Sequence, residues 1–243
     1  MEWIDLITQH ASVRAFENKR IPEQVKNQLI KAAQSGSSSN FLQAYSIIEV
    51  EEHQLLQRIE EISNCKGYIE NTGAFYVFVA DLYRQQTLLA QAGKSAEHLS
   101  TIEPFVVSVV DTAIAAQNLA LSAEALGLGI CYIGGIRNNL FEMSELLHLP
   151  KYTYPLFGLS VGYPIDKNER KPRLPQAEIL SKDTYQQPSK ELLDSYDKIM
   201  TEYYSSRTTN QQTASWQTKV LSYFSEPKRP ETAAFLKKQG FHF

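Results

Sequence analysis

Four short polar segments hold the residues best suited to gripping an anion. "HASVRAF" supplies His10, Ser12 and Arg14. Ser12 and Arg14 alternate across Val13, so an extended backbone turns both to one side. "SGSSSNFLQ" crowds four serines, Ser38 among them, just ahead of Gln43. "IGGIRNN" offers backbone access at Gly134 and Gly135, with a cation at Arg137. "KPRLP" sets Lys171 and Arg173 in a proline-stiffened stretch. Cations, hydroxyls and glycine backbone together are the chemistry of phosphate binding. Taken singly, each segment also reads as a turn, a loop or a solvated charge, and their order along the chain does not bring them together in space.

Other chemistries fit less well. "GLGICYIGG" carries glycines at 127, 129, 134 and 135, but Tyr132 stands where G-x-G-x-x-G needs its last glycine, and there is no P-loop. "GLSVG" at 158–162 spells a nucleophile-elbow pattern around Ser160. An elbow needs a helix opening at the serine, whereas Tyr163-Pro164 and a proline-dotted stretch follow here. Ser160 therefore reads as a strand serine. A serine hydrolase using Ser160, His242 and a late aspartate stays as a minor alternative. The histidines are scattered, and no His/Cys/Asp/Glu cluster has metal-ligand spacing.

The elements that must position these segments follow from periodicity and punctuation. A short helix opens at Trp3, and a second spans "IPEQVKNQLIKAAQSG", with Pro22 suited to its first turn and Gly36 to its end. Strands are expected at 44–51, at "GAFYVFVAD", at "ICYIGG" and at "LFGLSVGYP". Helices are expected at "HQLLQRIEEI", 84–100, 103–126, "NNLFEMSELLHL", 189–205 and after Ser215. Strands mixed with helices give an α/β or α+β sheet protein. Residues 165–188 read as a long irregular connection, and 205–215 as a polar loop.

Bulk properties narrow the class. The chain has 243 residues, a net charge of −3 and two cysteines without CxxC spacing. Nothing basic points to nucleic acid, and so few cysteines suggest a reducing, cytoplasmic setting. The most apolar window, 104–129, contains Asp111, Gln117, Asn118 and Glu124, which favours a buried helix over a membrane span.

"HASVRAF", "SSSNFLQAYSII", "DTAIAAQNLALSAEALGLG", "YIGGIRNN", "LFGLSVGYP" and "KPRLP" occur in the order expected of the FMN-dependent nitroreductase superfamily. Over nearly its whole length the chain resembles the oxygen-insensitive NADPH nitroreductase and NADPH–flavin oxidoreductase branch. The resemblance implies one FMN-binding domain over 1–243 with a helical extension from about 183. It implies an α+β sandwich with a mainly antiparallel sheet flanked by helices, forming a homodimer with FMN at the interface. The implied activity is ping-pong: NAD(P)H reduces bound FMN, and a nitroaromatic, quinone or flavin is reduced in turn. No side chain serves as a nucleophile.

By the same resemblance, His10, Ser12 and Arg14 hold the phosphate and ribityl end, with Ser38 nearby, and Lys171 and Arg173 reach the same phosphate. Gln43 approaches the flavin from the partner subunit. Lys66 and Tyr68 occupy the nicotinamide and ring sides, and Gly134 and Gly135 let backbone N–H groups near the ring. Arg207 matches the residue for the NADPH 2′-phosphate. Three positions depart from the pattern: Ala11 replaces an arginine, Lys66 a glutamine, and Gln212 a second arginine in the tail. The last departure weakens the expected preference for NADPH over NADH. A non-catalytic flavin-binding or sensing module on the same fold is the main alternative.

Overall fold

The computed structural model describes residues 3–166, 168–207, 212 and 214–243. They form two compact units, Met1–Asn168 with Glu231–Phe243, and Glu169–Pro230.

In the first unit, β1 (Tyr45–Val50), β2 (Ala74–Asp81), β3 (Gly129–Ile133) and β4 (Thr153–Gly162) make one sheet in the order β1-β2-β4-β3. Every pairing is antiparallel. All eight residues of β2 are buried, because both faces of the sheet are covered. Alternate side chains point to opposite sides. Tyr76 and Phe78 pack with Leu29 and Ala33 of α2 (Glu23–Gln34) and with Ala115, Ala116 and Leu119 of α5 (Ile102–Ala125). Phe75, Val77 and Val79 pack with Ile59 of α3 (His53–Ser63) and Met143 of α6 (Leu140–Leu146). The expected α+β sandwich with an antiparallel sheet is what forms. The short α1 (Trp3–Thr8) and the terminal α9 (Thr232–Gln239) complete the unit.

Helix α5 is long and apolar enough to cross a membrane by length and composition. Here it is the core helix of its unit, and its polar Ser108, Asp111 and Thr112 are buried. Gly127, at φ +78°, follows its end. Ile102, Val106 and Val110 form an exposed apolar stripe on it. Lys26 of α2 is 5% exposed, and its ammonium meets Glu23, Glu49 and Glu51 at 2.7, 2.6 and 2.7 Å.

One expected helix is shorter than its pattern. The stretch 84–100 divides into α4 (Tyr83–Gln91) and a 3₁₀ turn at Glu97–Ser100. Gly93 lies between them at φ +65°, a conformation that ends a helix. The second unit holds α7 (Lys190–Ser206), capped by the Ser189 side chain, and α8 (Trp216–Phe224), capped by Ser215. Residues 208–211 and 213 of the polar loop lie outside the described residues.

Candidate functional site

The segment His10–Phe16 is pinned where β3 begins and β4 ends. Val13 donates its N–H to Ile130 at 2.9 Å and is 2% exposed. Its methyls fill the space over Gly129, where an added Cβ would lie 2.5 Å from Val13 Cγ2. Phe16 bridges to Pro164, and Ile165 donates to the Ala15 carbonyl. With Val13 and Phe16 buried, Arg14 is left exposed and Ser12 half-buried. Asn168 Nδ2 holds the Ser12 carbonyl at 2.6 Å.

Two acids on apolar α5 anchor two of the polar segments. Glu124 Oε1 meets His10 Nδ1 at 2.6 Å, so Nδ1 faces the carboxylate and Nε2 is left for another partner. Asp111, 1% exposed, accepts the Ser39 N–H at 2.9 Å and the Ala44 N–H at 3.1 Å. The serine run is thus tied down at both ends of a tight turn. Asn40, Phe41 and Gln43 all adopt positive φ there, at 46°, 59° and 50°. Arg84 of α4 donates to the Gln43 carbonyl at 3.1 Å, and Gln85 to the Leu42 carbonyl at 3.0 Å. Phe41 stands 79% exposed, and the Ser38 hydroxyl is buried with no hydrogen-bond partner among the described residues.

Thirteen residues separate the two anchors on α5, so at 1.5 Å per residue they lie about 20 Å apart. Within one chain, the Ser38–Gln43 turn is therefore held at the middle of α5 and His10 at its C-terminal end.

The His10 end gathers further groups. Arg14's charge acts on both thiols, Cys65 and Cys131. Burial pushes both thiols up from their ordinary value, and Arg14 offsets part of that rise. Cys65 opens the loop that carries Lys66 and Tyr68; Lys66 is exposed and Tyr68 half-buried. Beside this loop, a 3₁₀ turn Gly134–Asn139 follows β3. An added Cβ on Gly135 would meet the Ser63 carbonyl oxygen at 2.2 Å, so only glycine permits that approach. Tyr132 Oη donates to Gln117 of α5 at 3.2 Å.

Ser160 is fully buried in the middle of β4, paired with Phe75 and Cys131, and its hydroxyl donates to the Tyr68 carbonyl. A strand runs through it and no helix opens there, so elbow geometry is absent.

The second unit has its own cationic cluster. Lys171 and Lys219 flank the Tyr204 ring at 5.7 and 3.5 Å from its centroid. Burial alone would raise the Tyr204 phenol, but hydrogen bonds and charge from the two lysines outweigh it and leave it below its ordinary value. The Tyr196 hydroxyl holds the Pro172 carbonyl at 2.9 Å, between Lys171 and Arg173. Arg207 lies 5.8 Å from the Tyr203 ring, just beyond the end of α7.

The comparisons with known proteins agree over the whole chain. The Nitroreductase family profile matches residues 7–163, and the profile of its C-terminal domain matches 171–243. This chain belongs to the nitroreductase family. It is 37% identical over 243 residues to FMN reductase (NADPH) of Bacillus subtilis, covering 98% of each protein. It is 37% identical over 238 residues to the oxygen-insensitive NADPH nitroreductase of Salmonella typhimurium, covering 98% of this chain and 97% of that protein. A solved nitroreductase structure from B. subtilis superposes with a TM-score of 0.95 at 37% identity and covers 99% of both chains. Three side chains of this nitroreductase-family chain were not singled out from sequence as site groups: Glu124, Asp111 and Glu60. Each acts on residues distant in sequence or on backbone amides, and neither leaves a spacing motif.

Proposed function

We propose that this chain is an FMN-dependent NAD(P)H oxidoreductase that reduces small acceptors such as nitroaromatics, quinones or flavins. FMN supplies two-electron chemistry between reductant and acceptor, and the protein supplies binding, orientation and electrostatics. The observation that carries this reading is the His10 end of α5. There Arg14, Ser12, an oriented His10 and the glycine turn 134–135 lie on neighbouring elements, as a phosphate and a planar ring require. An exposed guanidinium on a rigid extended segment suits a phosphate through its paired donors. Tyr68 and Lys66 supply the ring and nicotinamide sides.

The chain fits FMN, but its donors are divided. The buried Ser38 hydroxyl lacks a partner among the described residues, as a group awaiting one would, yet it belongs to the Asp111 site in mid-helix. A second copy laid antiparallel along α5 brings the Ser38–Gln43 turn of one subunit to the His10 end of the other. The exposed apolar stripe Ile102, Val106 and Val110 is the surface such a partner would cover. The homodimer and each residue's role belong to this proposal. On the family pattern, Lys171 and Arg173 serve the phosphate, Arg207 serves the NADPH 2′-phosphate, and all of 1–243 acts as one catalytic domain. The compartment is proposed to be the cytoplasm.

A visible spectrum of the purified protein, before and after anaerobic NADPH, tests the activity. A yellow protein that NADPH bleaches is expected. A colourless protein refutes the reading, and a yellow one that NADPH leaves unbleached favours a flavin-binding module without turnover.

A further inference from the structure

Glu60 sits in the last turn of α3 and is 8% exposed. Its backbone carbonyl accepts the Cys65 N–H at 3.3 Å. Its Oε1 accepts the N–H groups of Gly67, Ile69 and Glu70 at 2.9, 3.1 and 3.2 Å. One residue thus collects four of the six amide N–H groups in 65–70, and successive N–H groups converging on an anion form a nest. The carboxylate that fills this nest is the loop's own interior. Gly67, at φ +84°, makes the turn that aims its neighbours' amides inward.

The loop is also latched to the sheet beneath it, because the buried Ser160 of β4 donates to the Tyr68 carbonyl. The helix end that bears Glu60 also sets the glycine turn, through the Gly135–Ser63 approach and through Asn138 Nδ2, which donates to the Ile62 carbonyl at 3.2 Å.

We propose that Glu60 is a positioning residue for reductant binding: its carboxylate holds the Lys66–Tyr68 stretch where the nicotinamide docks. This rests on the reading of Lys66 and Tyr68 given above. Neither residue could hold one position on a six-residue loop most of whose amides were left without an acceptor. The phosphate grip through Arg14 stands on β3 and is independent of this carboxylate.

The experiment compares Glu60→Gln with wild type, both as FMN-loaded protein. Glu60→Gln keeps the side chain's size and removes its charge. Backbone amides at 65–70 should exchange with deuterium about tenfold faster. KM for NADPH should rise about tenfold, by more than the FMN dissociation constant, with kcat held within about threefold. Lys26→Gln serves as the control, since it removes a buried charge elsewhere in the same unit. If it raises KM as much, loss of stability explains the effect and the proposal fails. Faster exchange with an unchanged KM also overturns it, because the loop then moves without affecting the reductant. If Glu60→Gln does not fold, Ser160→Ala opens the second latch. It should raise exchange and KM in the same sense by a smaller factor, and no change in either overturns the proposal. A wild-type protein whose flavin NADPH cannot bleach fails the functional reading instead, and the exchange result then stands alone as a statement about the loop.

Discussion

The two acids of α5 solve one problem in different ways. In mid-helix Asp111 is sealed in the core and binds two backbone amides; in the last turn Glu124 is part-exposed and binds the His10 side chain. The Asp111 site fixes the path of the main chain through a turn with three left-handed residues. The Glu124 site fixes the orientation of a ring and leaves the main chain to β3. A buried acid that holds amides is a folding element, whereas a part-exposed acid that holds an imidazole is an orienting element. Both interrupt a helix otherwise apolar enough to be mistaken for a membrane span.

Breaking the Asp111 site should have the largest effect. Asp111→Ala leaves the part-buried Ser39 amide and the buried Ala44 amide without this acceptor and is expected to cost about 3 kcal/mol or more, read from urea unfolding. It should also release the serine turn, so FMN would be lost with it. Wild-type stability in that variant would mean the turn holds itself.

At the His10 end of α5, Arg14→Ala should weaken FMN by about 1.5–3 kcal/mol, read by flavin fluorescence on dilution, with little change in unfolding free energy. Full flavin occupancy at unchanged affinity would remove Arg14 from the phosphate site. Arg207, in the second unit, is proposed to serve the reductant alone. Arg207→Ala should raise KM for NADPH about tenfold and leave KM for NADH nearly unchanged. Equal effects on the two nucleotides would make Arg207 structural.

The smallest effect sharpens the contrast. Glu124→Gln keeps a partner for His10 but removes its charge, and is expected to cost about 1 kcal/mol in FMN affinity with little loss of fold stability. If it destabilises the fold as much as Asp111→Ala does, the two acids do the same work and the contrast is wrong.

Much of the fold was legible because its signals are local. The stripe Leu29–Ala33, the unbroken apolar run of β2 and the stop at Gly127 each declare an element within a few residues. The split at Gly93 was missed because one glycine outweighed a continuing helical pattern. The polar segments of the site were legible as chemistry, yet their grouping was not. Glu124 reaches a histidine 114 positions away, and Asp111 reaches amides 72 and 67 positions away, so neither leaves a spacing motif. Sequence pattern weighed those acids only as evidence against a membrane span. Glu60 was silent for another reason, since its partners are main-chain groups that every residue type carries.

The two thiols have a practical consequence at the bench. Cys65 and Cys131 are the chain's only cysteines, and both are held above the ordinary thiol value by burial. The thiolate is the form that attacks maleimides and iodoacetamides, so near neutral pH both native cysteines should label slowly. A cysteine placed on an exposed loop, such as the one around Gly93, would then carry a fluorophore or spin label selectively. Distances between labelled copies of the proposed homodimer could be measured without first deleting a native residue.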